Sequence, residues 1–198
     1  ITSVLRHLLS TDQVKLRKIN RGEEDLSSCY YSKSLYFDEL TVATRVKALL
    51  ADSVTIEPGR LQAWVSRYCE KHEINLSDEQ KSAVCEIPGK SFSVLTGGPG
   101  CGKTTCTKVL VQLLKAMKMR VLLAAPTGRA AQRMTEVIGF EAKTIHRLLE
   151  WAPDKNGFKR DDKEPLQTDF LIVDETSMLD ISLAASLLKA VPTNAQVL

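Results

Sequence analysis

The sequence predicts an α/β fold in which a parallel β-sheet carries helices on both faces. From residue 91 onward, short apolar segments alternate with longer amphipathic segments, and this alternation is typical of strands that are joined by helices. The apolar segments, such as "VLLAA" and "FLIV", contain no polar residue, as expected for strands that are buried on both faces. Ligands of such sheets lie beyond the carboxyl ends of the strands, so we expect the functional residues there.

The composition is that of an ordinary globular protein. The chain has 198 residues, of which 43% are hydrophobic and 26% are charged, enough for one large domain or for a domain with a smaller companion. It has neither a secretory signal nor a run of about 18 apolar residues, so we expect a cytoplasmic protein with no membrane partner. The five cysteines form no C-x-x-C pair, which indicates reduced thiols.

The net charge and the first residue say less about the function than the composition does. A net charge of +3 allows a nucleic-acid partner but does not require one. The sequence begins with isoleucine rather than methionine, so we expect it to be a piece of a longer protein.

Residues 1–58 are predicted to form a small α+β unit. "SVLRHLLS" and "FDELTVATRVKALLA" have the apolar spacing of helices, "QVKLRKI" alternates like a strand, and "SSCYYSKSLY" is interpreted as a second strand. A linking helix is expected within residues 59–75, and the main domain spans residues 76–198. The main domain opens with "NLSDEQKSAV", where Ser77 as N-cap and Gln80 three residues later form a capping box. The simplest interpretation of Gln80 is this capping role.

The main domain is predicted to alternate strands and helices in order along the chain. The predicted strands are "SFSVLT", "RVLLAA", "DFLIVD" and "QVL". The predicted helices between them are "GKTTCTKVLVQLLKAM", "GRAAQRMTEVI" and "SLAASLLKAV".

Residues 97–104, "GGPGCGKT", match the pattern G-x-x-x-x-G-K-S/T between a predicted strand and a predicted helix. In that context the pattern predicts a phosphate-binding loop, because backbone N–H groups and a helix N-terminus surround the phosphate oxygens. Lys103 is expected to reach the β- and γ-phosphates, and the Thr104 hydroxyl is expected to bind Mg²⁺. The predicted nucleotide contacts are Gly98, Pro99, Gly100, Cys101, Gly102, Lys103, Thr104 and Thr105.

Two adjacent carboxylates follow the strand in "FLIVDETS". Asp174 is expected to hold Mg²⁺, directly or through water, opposite Thr104. Glu175 is then placed to orient and deprotonate a water that attacks the γ-phosphate, which favours hydrolysis over transfer. The alternative is a pair of solvated acids after a strand.

A third segment, "AAPTGRAAQRMTEVIGFEAKTIHRLLE", places basic residues near a predicted helix start. Thr127, Gly128 and Arg129 open that helix, and its N–H groups can bind a backbone phosphate of a nucleic acid. Further positive charge comes from Arg133, Lys143 and Arg147. A solvated helical face, in which glutamates balance these charges, explains the pattern about as well.

The polar segment "WAPDKNGFKRDDKEPLQ", residues 151–167, interrupts the alternation of strands and helices. Asn156 and Gly157, with Trp151 and Phe158 on either side, suggest a β-hairpin. A plain surface loop fits the composition about as well.

In their order and spacing, "NLSDEQKSAV", "LTGGPGCGKTT", "AAPTGRAAQRM", "AKTIHRLLEW" and "DFLIVDETSMLD" resemble the RecD-type DNA helicases of superfamily 1, the RecD-like family of the exodeoxyribonuclease V alpha chain. The resemblance covers residues 76–198, and "SLYFDELTVATRVKALL" is more loosely similar to the region that precedes the motor. It implies a RecA-like fold, ATP and Mg²⁺ as cofactors, and 5′ to 3′ movement on single-stranded DNA in recombination and repair. It leaves open whether other subunits of a helicase–nuclease complex bind, and a winged-helix-like contact module or a partner-protein surface is expected within residues 1–58.

The resemblance also implies roles for individual residues. Gln80 becomes the residue that recognises adenine, and Lys103, Thr104, Asp174 and Glu175 keep the roles given above. Residues that match motifs in contact with the DNA strand are Pro126, Thr127, Gly128, Arg129, Thr144 and His146. The segment 151–167 corresponds to a hairpin that serves the family as a pin for separating duplex strands.

Two residues depart from the family pattern: Cys101 stands where threonine is usual, and Thr176 stands where alanine is frequent. Because phosphate-binding amides favour a thiolate, we expect Cys101 to be alkylated faster than the other cysteines and to be protected by ATP. The later motifs of the family, with arginines from a second RecA-like domain, would lie beyond Leu198. The resemblance thus implies a truncated motor domain that binds ATP and hydrolyses it slowly at most.

Two other functions are open at this point. One is an ATP-gated DNA-binding module without unwinding activity, and the other is a phosphotransferase with the same kind of loop. The presence of Lys103, Asp174 and Glu175 argues against the first, and the lack of an acceptor site argues against the second.

Overall fold

The structure, a computed structural model, describes residues 2–20, 26–51, 54, 56–98, 100–153 and 157–198. Its helices are α1 (Thr2–Ser10), α2 (Lys33–Ala51), α3 (Pro58–Lys71), α4 (Asp78–Glu86), α5 (Lys103–Ala116), α6 (Gly128–Ile138), α7 (Ile145–Leu148) and α8 (Ile181–Ala190). Its strands are β1 (Val14–Asn20), β2 (Leu26–Ser32), β3 (Val121–Ala125), β4 (Ala142–Thr144), β5 (Trp151–Ala152), β6 (Gly157–Phe158), β7 (Phe170–Val173) and β8 (Gln196–Val197).

The central sheet has the strand order β4-β3-β7-β8, and each neighbouring pair is parallel. β3 aligns Ala124 with Val173 of β7 on one side and with Lys143 of β4 on the other. A single parallel bridge, Phe92 to Val197, continues the sheet beyond β8. The predicted parallel sheet is therefore confirmed.

Helices cover both faces of this sheet, as predicted. Phe170 and Ile172 of β7 belong to a buried apolar cluster with side chains of α3, α4, α5 and α6. Leu171, between them, belongs to a second cluster with side chains of α2, α7 and α8. Because successive side chains of a strand point to opposite faces, the two clusters lie on opposite sides of the sheet. This burial on both sides explains why the strands are so apolar.

Helix α2, near the start of the chain, packs on α8. β1 and β2 pair in antiparallel fashion, and α2 follows them. The Arg45 guanidinium of α2 donates to the carbonyl oxygens of Leu188, at 2.9 Å, and Val191, at the end of α8. Ser182 donates to the Asp38 carboxylate at 2.6 Å. These contacts connect residues that are more than a hundred positions apart in the sequence.

Residues 33–36 were predicted as the end of a strand, and this assignment is wrong. They form the first turn of α2. The Leu35 N–H donates to the Ser32 hydroxyl at 3.4 Å, so Ser32 supplies an oxygen at the helix start, a role that serine favours.

The predicted strand over residues 91–96 is also not formed as a regular strand. Ser93 N donates to Val197 O and Val197 N donates to Ser91 O, both at 2.9 Å. β8 ends at Val197, so it offers no ladder partner to residues 94–96. This segment therefore carries an isolated bridge only.

The capping box that opens α4 is confirmed. Gln80 N donates to the Ser77 hydroxyl at 3.3 Å, and Ser77 N donates to Gln80 Oε1 at 2.9 Å.

Among the described residues, none of the helices has the length and apolarity that crossing a bilayer requires. The five cysteines are free.

Candidate nucleotide-binding site

The glycine-rich loop leads from the segment beside β8 into α5. Gly100 and Gly102 have φ angles of +78° and +72°, a left-handed conformation that glycine adopts without a steric penalty. A Cβ atom on Gly102 would lie 2.5 Å from Gln80 Nε2, so a side chain at this position would be strained by the positive φ angle and would displace the Gln80 amide. Pro99 lies outside the described residues.

Lys103 is the first residue of α5, and its side chain folds back over the loop. The Nζ atom donates to the carbonyl oxygens of Gly97, at 2.5 Å, and Gly98, at 2.9 Å. Thr104 and Thr105 follow in the first turn of the helix. The positive end of the helix dipole and the lysine charge thus lie at the same place, which favours an anion.

Gln80 connects α4 to this loop. Its Nε2 atom donates to the Cys101 carbonyl at 3.0 Å, while its Oε1 atom accepts from Ser77 N at 2.9 Å. The side-chain amide is therefore bonded at both ends. Capping and support of the loop are the contacts that the structure shows for Gln80. Each of these two atoms retains one further hydrogen-bonding position, since an amide nitrogen has two N–H donors and an amide oxygen has two lone pairs.

The acidic pair follows β7 at the carboxyl end of the sheet. Asp174 N donates to Ala124 O of β3 at 3.0 Å, so the backbone of Asp174 is still part of the sheet. Glu175 N donates to Asp174 Oδ1 at 2.8 Å. Glu175 has a φ angle of +55°, a conformation that costs a non-glycine residue about 1–3 kcal/mol and that is common at functional sites.

The loop and the acidic pair line one cleft of about 760 Å³. Lys103 and Thr104 lie on one wall, and Asp174 and Glu175 on another. A third wall comes from α6 through Ala130, Arg133 and Met134. From the sequence, Arg133 was expected to add charge near a nucleic acid instead. The signal for the cleft is the i, i+3, i+4 spacing of residues 130, 133 and 134, which marks one face of a helix.

The residues of the cleft fit a nucleoside triphosphate with Mg²⁺. Lys103 and Arg133 supply positive charge, and the Thr104 hydroxyl and the Asp174 carboxylate are oxygen donors of the kind that Mg²⁺ prefers. In the described part of the chain, no group of three or more histidine, cysteine or acidic side chains could hold a metal ion alone. Mg²⁺ commonly combines one or two carboxylates with phosphate oxygens and water, so the donor set suits a metal that arrives with a nucleotide.

The predicted DNA contacts lie at the same edge of the sheet but outside this cleft. Pro126, Thr127, Gly128 and Arg129 follow β3. Thr144 is the last residue of β4 and the N-cap of α7, and His146 lies in the first turn of α7. The register pairs Thr144 with Ala125. Two helix starts therefore lie next to each other, each with a threonine at its cap. Thr127 Oγ1 accepts from Ala130 N, and Thr144 Oγ1 accepts from Arg147 N, both at 3.2 Å.

The segment that was predicted as a hairpin or a loop contains a short antiparallel ladder. β5 and β6 pair Trp151 with Phe158 and Ala152 with Gly157. Asn156, on which the turn prediction relied, lies outside the described residues. At the base of the ladder, the Arg160 guanidinium donates to Glu150 Oε1.

Comparison with known proteins agrees with this geometry. A family model described as "AAA domain" matches residues 80–198, which include the glycine-rich loop, the acidic pair and the edge between them. The chain belongs to the AAA domain family. The resemblance to RecD-type DNA helicases of superfamily 1 is confirmed by the curated proteins to which this chain is similar.

Three curated relatives are named as a RecD2 DNA helicase or as the RecD subunit of the RecBCD enzyme. The chain is 42% identical over 160 residues to the ATP-dependent RecD2 DNA helicase of Deinococcus radiodurans, a match that covers 81% of this chain and 22% of the relative. It is 37% identical to the RecBCD enzyme subunit RecD of Haemophilus influenzae, covering 58% of this chain and 22% of the relative. It is 35% identical to the RecD subunit of Mycobacterium tuberculosis, covering 61% and 25%. The chain thus spans about a quarter or less of the length of these relatives.

Proposed function

We propose that this chain is the ATP-binding part of an ATP-dependent DNA helicase that acts in recombination and repair. The observation that carries the proposal is the cleft in which Lys103 and Thr104 face Asp174 and Glu175. This combination supplies phosphate binding, a Mg²⁺ site and a base for water in one place. The proposal that DNA is the substrate rests on the names of the relatives, because a cleft of this kind alone does not distinguish helicases from other ATP hydrolases.

Each residue of the cleft has a role in this proposal. Lys103 exchanges its bonds to Gly97 and Gly98 for bonds to phosphate oxygens, and the loop amides hold the other oxygens. Thr104 and Asp174 hold the Mg²⁺ ion, which neutralises charge on the β- and γ-phosphates when it is bound. Glu175 orients a water and takes its proton. Gln80 recognises adenine with the N–H and the lone pair of its side-chain amide that remain free.

The DNA strand is proposed to follow the edge formed by the segments after β3 and β4. Thr127, Gly128 and Arg129 at one helix start, and Thr144 and His146 at the next, are proposed to bind backbone phosphates of the strand. Movement in the 5′ to 3′ direction and strand separation by a pin within residues 151–167 rest on the resemblance to RecD-type helicases.

The described domain is proposed to be half of a motor. A second RecA-like domain would supply arginines, and groups of this kind are worth about 10³ to 10⁵ in rate, so the chain alone should bind ATP with little turnover. We also propose the division into residues 1–58, 59–75 and 76–198. In this division the first unit is a contact module or a surface for other subunits of a helicase–nuclease complex.

The test is the rate of Mg²⁺-ATP hydrolysis by the full-length protein, with and without single-stranded DNA. We expect strong stimulation by DNA that is lost in Lys103→Ala. Lys81→Ala, on the exposed surface of α4 and outside the cleft, is the matched control and should retain stimulation. If the wild type binds nucleotide but shows no DNA-stimulated hydrolysis, an ATP-gated DNA-binding module replaces the helicase.

A further inference from the structure

Helix α2 is hydrogen-bonded to α8 near both ends of α8. The Ser182 hydroxyl, in the first turn of α8, donates to the Asp38 carboxylate at 2.6 Å. At the other end, the Arg45 guanidinium donates to the carbonyl oxygens of Leu188, at 2.9 Å, and Val191. Asp38 and Arg45 are about two helical turns apart, so they lie on the same face of α2. We call the hydrogen bonds of these two residues to α8 the helix clamp.

Apolar side chains also hold the two helices together. Leu49 of α2 belongs to the same buried cluster as Leu183 and Leu187 of α8, and Val42 and Val46 pack against that cluster. Burial of apolar area favours contact between the helices but has no direction, whereas hydrogen bonds require a defined geometry. The packing and the helix clamp together leave α8 little freedom to shift relative to α2.

Arg45 acts as the C-terminal cap of α8. A helix leaves the carbonyl oxygens of its last turn without partners inside the helix, and Val191, directly after α8, has an extended backbone. Arg45 donates to two carbonyl oxygens there, and its positive charge lies at the negative end of the helix dipole. Ala190 O accepts from Leu166 N at 2.8 Å. The end of α8 thus depends on groups from distant parts of the chain.

Helix α8 begins a few residues after the acidic pair. Asp174 is still bonded to β3 through its N–H, and Glu175 comes next. Met178 N donates to Glu175 O at 3.0 Å, and Asp180 caps α8 by accepting from Leu183 N at 2.8 Å. The connection from Glu175 to α8 is therefore a short turn with hydrogen bonds near each end. A shift of α8 would be transmitted through this turn to Glu175.

Glu175 needs support from its surroundings. Its φ angle of +55° is unfavourable for a non-glycine residue and persists only where the rest of the structure maintains it. A general base must also lie within hydrogen-bonding distance of its water, and a displacement of about 1 Å can cost about 100-fold in rate. The position of α8 therefore affects hydrolysis, although neither Asp38 nor Arg45 lines the cleft.

We propose that α2, through the helix clamp and α8, holds Glu175 in position for ATP hydrolysis, so that Asp38 and Arg45 are positioning residues for this reaction. The inference rests on the role of Glu175 in the proposed function and extends it to the first part of the chain. Because neither residue lines the cleft, loss of the clamp should slow turnover and leave the affinity for ATP unchanged. A contact that only stabilised the fold would lower the melting temperature without separating these two quantities.

The first test is DNA-stimulated hydrolysis of Mg²⁺-ATP by the full-length protein. Arg45→Met removes the donors and keeps a long side chain, so we expect kcat to fall about 10-fold, with KM and the affinity for a fluorescent ATP analogue close to those of the wild type. Arg45→Lys, which still donates to a carbonyl oxygen, should recover most of kcat. Lys47→Met, at an exposed position of α2, is the matched control and should hydrolyse ATP like the wild type.

Two milder variants test the other end of the helix clamp. Asp38→Ala and Ser182→Ala each remove the same hydrogen bond, so both should lower kcat by a similar amount, about 3- to 10-fold. The double variant should lower it no further, and Asp38→Asn, which keeps an oxygen acceptor, should resemble the wild type. Melting temperatures and binding of ADP show that each variant is folded. If Arg45→Met does not fold, these variants decide the question.

A double-variant cycle shows whether the helix clamp acts through Glu175. In a Glu175→Gln background the base is absent, so Arg45→Met should change the residual hydrolysis by less than about 2-fold. Long incubations with radiolabelled ATP measure this residual rate. A loss of about 10-fold in the Glu175→Gln background, as large as that in the wild type, would overturn the inference.

The outcomes separate this inference from the proposed function. If the wild type shows DNA-stimulated hydrolysis and folded Arg45→Met keeps its kcat, the positioning role is wrong and the proposed function stands. Equal losses in kcat and in affinity for ATP would also overturn the positioning role. If the wild type shows no DNA-stimulated hydrolysis, the proposed function itself is wrong, and the inference is wrong with it.

Discussion

The two walls of the nucleotide cleft are positioned in different ways. Asp174 follows β7, which has a ladder partner on each side, and its own N–H still donates to Ala124 O. The glycine-rich loop follows a segment with an isolated bridge at Phe92. The loop is instead held by side chains, with Gln80 bonded to the Cys101 carbonyl and Lys103 to two loop carbonyls.

This difference tells us which substitutions matter for shape and which matter for chemistry. Changes in the acidic pair should alter metal binding and leave the fold intact, because backbone hydrogen bonds of the sheet hold that wall. Changes around the loop should alter both nucleotide binding and the fold, because the side chains that are proposed to bind the nucleotide also hydrogen-bond to the loop. Four predictions test this contrast.

Removal of the lysine charge should have the largest effect. Lys103→Ala should weaken binding of ATP by about 100-fold, since charge-assisted hydrogen bonds to phosphate are among the strongest in proteins. A fluorescent ATP analogue titrated into the chain measures this. Lys81→Ala is the control and should bind like the wild type. Equal affinity in Lys103→Ala would show that the loop is not the phosphate site.

The contact between Gln80 and Gly102 should appear as an energetic coupling. Gly102→Ala should destabilise the chain by about 1–3 kcal/mol, because alanine is strained at positive φ and its Cβ meets Gln80 Nε2. In a Gln80→Ala background, the part of this destabilisation that comes from the clash with Gln80 disappears, and the part that comes from the strained backbone remains. Urea unfolding of the single and double variants should therefore give a coupling of about 1 kcal/mol. Strictly additive effects would mean that Gln80 does not support the loop.

The acidic wall should respond differently. Asp174→Asn keeps an Oδ1 acceptor for Glu175 N, so we expect a melting temperature close to that of the wild type. Affinity for ATP in the presence of Mg²⁺ should fall about 10-fold, on the scale of one charge-assisted contact, and affinity in EDTA should not change. A clear loss of stability in Asp174→Asn would contradict the claim that the sheet positions this wall.

The smallest effect is expected at the cysteines. Cys101 is exposed and lines the cleft, whereas burial raises the pKa of the Cys69 and Cys106 thiols and so lowers their thiolate fraction. Iodoacetamide at neutral pH should label Cys101 first, and ATP should slow that labelling selectively. Mass spectrometry of the labelled peptides measures both rates. Equal labelling of Cys101 with and without nucleotide would place the nucleotide elsewhere.

Local patterns predicted the parts of the molecule that depend on local physics. The spacing of glycine, lysine and threonine predicted the loop at α5, and the apolar run ending in two acids predicted β7 and its acidic pair. The capping box of α4 was also visible, because its partners are three residues apart. In each case the information lies within a few neighbouring residues.

What the sequence did not reveal depends on contacts between distant segments. The strand order places β8 between β7 and the segment before the loop, and no periodicity reports which strands are neighbours. The bond from Gln80 to the Cys101 carbonyl joins residues 21 positions apart. Arg133 reaches the cleft because α6 packs beside α5, a consequence of the tertiary fold.

The most direct test of the account is whether both walls hold one metal–nucleotide complex. Mn²⁺ can replace Mg²⁺ and be followed by electron paramagnetic resonance, with and without ATP. We predict that Mn²⁺ binds the protein tightly only when ATP is present, and that this ATP-dependent binding is weakened about 100-fold in Lys103→Ala and about 10-fold in Asp174→Asn. Mn²⁺ binding that keeps the wild-type affinity in either variant, or that needs no ATP, would contradict the shared site.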